Sequence, residues 1–281
     1  MSFLKCPVCQ HMLTKYDNAY KCINNHNYDI SSKGYVNMLL ANQRHSINPG
    51  DSKEMILSRV RFLELNYYHF LRKQILDTII KYSTISNEFS FCDLACGEGY
   101  YTNYIHDNLS KFANINSVGI DISKYAIIEA CKKKRATKLE NIDYVIGNLM
   151  NLPFKDESFS FMLNCFALMD EKEFYRVLKN EGYFIRVLPD ANHLLGIKKV
   201  LYENVILNVM KEKEINGFTL IDEIHIEDKV TLKNSSEIYD LFTMTPYYYK
   251  TSKESIDKLL KLNSLTTELS FVLLVYKKKE I

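Results

Sequence analysis

Four side chains near the start of the chain have the chemistry of a metal site. They are Cys6, Cys9, Cys22 and His26, in the run CPVCQHMLTKYDNAYKCINNH. Two thiols on one tight knuckle, twelve intervening residues, then a Cys/His pair on a second knuckle supply the four soft ligands of tetrahedral zinc. A closed four-ligand set leaves no open position, so the expected role is structural. A loop-rich segment of about 40 residues has little core of its own and needs such a staple. His11 is nearby but poorly spaced. Cys92, Cys96, Cys131 and Cys165 lie on strand, turn or helix patterns and read as packing residues.

A second constellation begins at DLACGEGYYT, residues 93–102. Small residues between a strand and a helix let backbone approach a ligand, and the helix start offers unpaired N–H groups. The three-glycine dinucleotide fingerprint is missing, because Gly97 and Gly99 are followed by bulky Tyr100 and Tyr101. A pyrophosphate cradle is therefore not expected. Asp121 ends the next strand, where a carboxylate accepts ribose hydroxyls. Gly147–Asn148 ends the third, where an amide meets an adenine edge, and NLPF follows at 151–154. A nucleoside site without phosphates fits S-adenosylmethionine, with Asp93, Gly97, Gly99, Asp121 and Asn148 as its contacts.

Positioning these residues requires alternating strands and helices. Strand patterns occur at FSFCDLA (89–95), NSVGID (116–121), IDYVIGN (142–148), SFSFMLNCF (158–166) and GYFIRVL (182–188). Helix patterns start at Tyr100 and Ser123 and run through FYRVL. Such β–α repeats predict a parallel sheet covered on both faces, and late strands around 217–226 and 267–276 close it. Upstream, Pro49–Gly50 breaks the chain and Asp51 with Glu54 resembles a capping box. Met55, Val60, Leu63, Tyr67, Leu71 and Ile75 then follow a helical period. Residues 1–40 show no helical period and read as loop-rich. The expected units are a zinc-binding domain at 1–40, a helical linker at 41–87 and an α/β domain at 88–281.

The chain has 281 residues, 47% hydrophobic and 25% charged, with net charge +2. The charge is unevenly placed. Residues 1–75 hold ten Lys/Arg and five Asp/Glu, a net +5 against −3 for the rest. A basic first third suits a polyanionic partner. Lys15, Lys21 and Arg44 are the expected phosphate contacts, and binding that weakens with salt is expected. No apolar run approaches the ~20 residues of a membrane span. The start lacks a signal-peptide core, and the seven cysteines read as reduced thiols, so the cytoplasm is the expected compartment.

These residues converge on a known family. CPVC with Cys22 and His26, KGYVNML (33–39), PGDSKEM (49–55), CGEGYYT (96–102), GIDISK (119–124), LPF (152–154), HLLGIK (193–198) and MTPY (244–247) resemble the bacterial 23S ribosomal RNA guanine-N1 methyltransferases of the RlmA family. The resemblance implies a Rossmann-like class I methyltransferase domain behind an N-terminal zinc domain for RNA recognition, in a homodimer. It implies methyl transfer from S-adenosylmethionine to N1 of a guanine in a hairpin loop of 23S rRNA, with some members influencing macrolide sensitivity. It adds Glu98, Tyr100, Tyr68 and His193 to the cofactor contacts. Three departures stand out. Ala95 occupies a glycine position, which asks for a negative φ there. Leu168 replaces a proline of the substrate loop, and Lys179–Asn180–Glu181–Gly182 replaces K-P-G-G. Asp170 and His193 are the candidate acceptors of the N1 proton, with a helix N-cap the plainer role for Asp170. Phe166 and Tyr247–Tyr249 are candidates for stacking on a splayed base. Two further readings stand beside this one: a small-molecule methyltransferase on the same fold, and a non-catalytic RNA-binding relic.

Overall fold

The computed structural model describes residues 3–43, 49–209 and 213–280. The first elements are three short antiparallel strands, β1 (Leu13–Lys15), β2 (Ala19–Cys22) and β3 (Asn27–Asp29). They replace the expected loops, and their three- or four-residue length explains why no alternation betrays them. β4 (Tyr35–Asn37) follows but belongs to another sheet: it pairs in parallel with a strand more than a hundred residues away.

Two helices come next, α1 (Lys53–Glu64) and α2 (His69–Tyr82). The sequence period runs through both, yet the chain breaks at Leu65–Tyr68, where Asn66 takes φ 62°. Asparagine tolerates that left-handed turn. The N-cap of α1 is Ser52, whose hydroxyl accepts from the Met55 N–H at 3.3 Å. Asp51 is therefore not the cap; its carboxylate pairs with Arg59 instead.

The rest alternates as expected: β5 (Ser90–Leu94), α3 (Tyr100–Leu109), β6 (Asn116–Asp121), α4 (Lys124–Ala136), β7 (Ile142–Ile146), β8 (Phe159–Cys165), α5 (Glu171–Val177), β9 (Leu178–Pro189) and α6 (Leu195–Leu201). β10 (Phe218–Leu232), α7 (Ser235–Thr243), α8 (Lys253–Leu260) and β11 (Leu265–Lys278) complete the chain. The eight-stranded sheet has the order β10-β11-β9-β8-β5-β6-β7-β4. It is parallel from β9 to β4 and antiparallel at β10 and β11.

Both faces of the sheet are buried, as crossover helices require. β11 shows it residue by residue. Phe271, Leu273 and Val275 face a core shared with Leu71, Ile75, Ile105 and Ile197 of the helices. Val272, Leu274 and Tyr276 face the opposite core. That second core holds Phe3, Leu4, Leu13 and Tyr20 of the metal-ligand segment beside Leu94, Val118, Phe154 and Phe159. Leu4 also bridges to Phe154, and the Lys5 N–H donates to the Pro153 carbonyl at 3.0 Å. The N-terminal strands thus cover part of a sheet face. Tyr35–Asn37, inside the expected 1–40 unit, is a strand of the large sheet itself. Among the described residues no helix is long and apolar enough to cross a membrane.

Candidate cofactor and metal sites

Each metal knuckle is a tight turn closed by backbone hydrogen bonds. The Cys6 N–H donates to the His11 carbonyl and the Gln10 N–H to the Cys6 carbonyl. On the second knuckle, the Cys22 N–H donates to the His26 carbonyl and the Asn25 N–H to the Cys22 carbonyl. Gln10 and Asn25 both have positive φ. The turns bring the ligand atoms of Cys6, Cys9, Cys22 and His26 within 4.8 Å of one another. Cys9 Sγ lies 3.2 Å from Cys22 Sγ, and His26 Nδ1 lies 3.4 Å from Cys6 Sγ. The edge of a zinc tetrahedron with ~2.3 Å Zn–S bonds is about 3.8 Å, so the cluster has the right scale. A backbone hydrogen bond from His11 holds the Cys9 thiol down to about 5, while burial pushes Cys22 up. His11 itself meets the Cys9 carbonyl and stays outside the cluster. The donor set, two closed knuckles of soft ligands, fits structural zinc.

The second site lies at the carboxyl ends of β5, β6 and β7. The turn between β5 and α3 contains three left-handed residues: Ala95 at φ 62°, Gly97 at 56° and Gly99 at 77°. The expected negative φ at Ala95 is not what the structure has. The alanine carries the conformation for which glycine is usually chosen. At Gly99 space also matters, since a Cβ would sit 2.6 Å from the Tyr144 hydroxyl. Asp121 anchors the turn: its Oδ2 accepts from the Gly97 N–H at 3.0 Å and its Oδ1 from the Ser123 N–H at 2.7 Å. Burial raises its carboxyl above the usual range against those hydrogen bonds. Asn148 spends its side-chain oxygen on the Met150 N–H at 3.0 Å.

Three buried oxygens around the turn have no hydrogen-bond partner among the described residues: Asp93 Oδ1, Glu98 Oε1 and Tyr100 Oη. Buried orphans of this kind are costly and rare in packed structure. Three together beside a glycine turn fit a site built for a polar ligand, as S-adenosylmethionine is. Asp93 gives its other oxygen to the Thr102 hydroxyl at 2.6 Å, and burial pushes its carboxyl up to about 7.

Tyr68 and His193 come from distant segments and meet at one ring that the sequence reading missed. Phe271 of β11 has Tyr68 edge-on at 5.1 Å, His193 at 4.6 Å and Phe166 at 5.5 Å. Nothing in the uniformly apolar run SFVLLVY distinguishes Phe271 from its neighbours. Arg59 was also missed, although it had a signal: it interrupts the buried stripe Met55, Ile56, Phe62, Leu63 of α1. Burial alone would lower its pKa, but the carboxylates of Asp51, Glu98 and Asp121 outweigh that and hold the charge.

Neither candidate proton acceptor is poised for that work. Asp170 caps α5, its Oδ1 accepting from the Glu173 N–H at 2.9 Å. His193 is kept neutral by burial, which lowers its pKa to about 3, and its Nδ1 accepts from the Ser270 N–H. Of the stacking candidates, Phe166 is 44% exposed. Tyr247 and Tyr248 pack edge-on against Tyr202 and Phe242, while Tyr249 is exposed. Lys15 is paired with Asp143, and Lys21 lies over the Tyr16 ring. Arg44 lies outside the described residues.

Comparison with known proteins matches two parts of the chain. Residues 4–47 match the family described as RlmA, N-terminal, a zinc ribbon, and residues 92–186 match a methyltransferase domain. A Bacillus subtilis (strain 168) protein, provisionally named a 23S rRNA (guanine-N1)-methyltransferase, is 28% identical over 72% of this chain and 69% of its own length. The 23S rRNA (guanine(748)-N(1))-methyltransferase of Streptomyces fradiae is 26% identical over 71% of this chain and 68% of its own. A demethylmenaquinone methyltransferase of Oceanobacillus iheyensis is 26% identical over a shorter 39% of this chain and 48% of its own. The chain thus carries a segment similar to the RlmA N-terminal zinc ribbon ahead of one similar to a methyltransferase domain.

Proposed function

We propose that this protein transfers a methyl group from S-adenosylmethionine to N1 of a guanine in a hairpin loop of 23S ribosomal RNA. The observation that carries the reading is the joining of an RlmA zinc ribbon to a methyltransferase domain, together with rRNA methyltransferase relatives aligned over about 70% of the chain. When bound, the cofactor supplies an electrophilic methyl on a sulfonium. The chain's own task is to hold both reactants in line and keep water out. In this reading Asp121 takes the ribose hydroxyls, Asn148 the adenine edge, and the Gly97–Tyr100 turn lies against the rest of the cofactor. Tyr68 and His193 close the site on the Phe271 side. Exposed Phe166, beside them, stacks on the splayed base. Cys6, Cys9, Cys22 and His26 hold zinc and give the N-terminal strands a fixed shape for RNA. The same reading includes a cytoplasmic homodimer whose methylation bears on macrolide sensitivity.

The test is primer extension on rRNA from cells lacking the gene, with and without the gene restored. Methylation at N1 blocks the pairing edge, so reverse transcriptase stops one nucleotide short. A gene-dependent stop at a hairpin-loop guanine supports the proposal and names the base. Unchanged large-subunit guanines would overturn it in favour of a small-molecule substrate or a non-catalytic RNA-binding role.

A further inference from the structure

We propose that Asn164 is a positioning residue for methyl transfer: from the end of β8 its amide pins the substrate loop at Leu168 and so holds the Phe166 ring where the base stacks. The inference rests on the methyltransferase reading above and names the side chain that fixes the substrate loop.

The loop needs an external restraint. No residue from Phe166 to Asp170 is buried, Leu168 is 80% exposed, and Phe166 stands at φ 60°. Packing therefore does little for the loop, and a bulky residue keeps left-handed backbone only where its surroundings hold it. Leucine at 168 does not fix φ as a proline would. Hydrogen bonds do the holding. At one end the Phe166 N–H donates to the Val187 carbonyl of β9 at 3.0 Å, and at the other Asp170 Oδ1 accepts from the Glu173 N–H of α5 at 2.9 Å. Between them, among the described residues, only Asn164 grips the loop, its Nδ2 donating to the Leu168 carbonyl at 3.2 Å.

The fold keeps Asn164 at a cost in stability. The residue is 0% exposed, in a strand whose neighbouring positions are the buried Phe161, Met162, Leu163 and Cys165. A carbonyl can be met only by the NH2 end of the amide, so the contact to Leu168 fixes which way Oδ1 faces. There Oδ1 has no hydrogen-bond partner among the described residues. Arg186 is its register neighbour on β9, yet the guanidinium does not satisfy that oxygen, and its own buried Nε is unpartnered as well. On the other side the register neighbour is the apolar, fully buried Leu94 of β5. A buried amide with one end unmet destabilises the fold relative to an apolar side chain of similar size. A leucine at 164 would suit this neighbourhood better in every respect but one: it cannot hold the loop. The loop, and not the core, explains the amide.

The test follows methyl transfer from radiolabelled S-adenosylmethionine to 23S rRNA isolated from cells lacking the gene, using the full-length zinc-loaded protein. Asn164→Leu is expected to lower kcat/KM about tenfold, the scale of one stacked base. Its melting temperature is expected not to fall, and S-adenosylhomocysteine is expected to bind within about twofold of wild type in calorimetry. Coupling to the ring is the readout that a merely structural residue would not move. Combined with Phe166→Ala, Asn164→Leu is expected to lose no more activity than Phe166→Ala loses by itself. If Asn164→Leu does not fold, Asn164→Asp carries the same comparison, since an isosteric carboxylate has no donor for the Leu168 carbonyl. Losses that multiply in the double variant would mean that Asn164 acts apart from the ring. Activity within about twofold of wild type would mean that the loop needs no pin. A fall in melting temperature matched by a fall in cofactor affinity would mean that the amide only supports the fold. Each of these three overturns the inference. Wild-type protein that binds S-adenosylhomocysteine but methylates no rRNA would overturn the substrate reading instead.

Discussion

At the residue scale, the turn around Ala95 holds a mismatch between side chain and backbone. The position is left-handed, at φ 62°, in a buried strand-to-helix turn closed by the Cys96 N–H donating to the Ile120 carbonyl. A left-handed alanine costs roughly 1–2 kcal/mol, while a glycine there costs ~0.5–1 kcal/mol of extra unfolded-state freedom. Ala95→Gly is therefore expected to raise unfolding free energy by about 0.5–1 kcal/mol, read from the midpoint of a urea titration at unchanged slope. A lower midpoint would mean that the methyl group makes packing contacts worth more than the strain. The residue types at 93–99 announced a ligand-binding turn. They did not announce the sign of φ at 95, which depends on how β5 meets α3.

At the element scale, the loop after β8 separates the chemistry of stacking from that of folding. Phe166 is held at φ 60° with its ring 5.5 Å from Phe271 and partly in solvent, and Leu168 beyond it is largely exposed. A base stacked on an aromatic ring is worth roughly 1–3 kcal/mol. Phe166→Ala is expected to lower kcat/KM for rRNA methylation about tenfold or more, with a melting temperature within a few degrees of wild type. Phe166→Gly extends the comparison: relief of the left-handed backbone should steady the fold while activity stays low. Activity that survives both changes would remove the ring from the substrate loop's function. Asp170 is a different case in the same loop region. Its carboxylate is spent on the α5 cap, so the loop's one acid serves the helix.

At the scale of the whole molecule, the metal site is tied to the core of the methyltransferase sheet. Phe3, Leu4, Leu13 and Tyr20 pack with Leu94, Val118 and Phe159, and β4 extends the sheet beside β7. The ligands must hold these strands in place, because segments of three or four residues have no stability alone. Chelating the zinc, or changing Cys22 to Ser, is therefore expected to lower the melting temperature of the entire protein in one transition, followed by calorimetry. Two separate transitions, with the methyltransferase part unmoved, would show that the shared core carries little coupling.

How much was legible follows from the range of each interaction. Spacing along the chain by itself determined the cluster of Cys6, Cys9, Cys22 and His26 and the glycine turn with its acid one strand later. It also determined the β–α alternation of a sheet buried on both faces. Each of these is local, set by knuckle geometry, backbone conformation or a two-residue period. Only the tertiary structure decided the rest. It placed β4 in parallel against a strand a hundred residues away, laid the strands of the Cys/His cluster over a sheet face, and split one helical period at Asn66. It gathered Tyr68, His193 and Phe166 around Phe271 and set Arg59 of α1 against Gly97. Those outcomes depend on which buried surfaces meet, and contacts between distant segments leave no period in the sequence from which to read them.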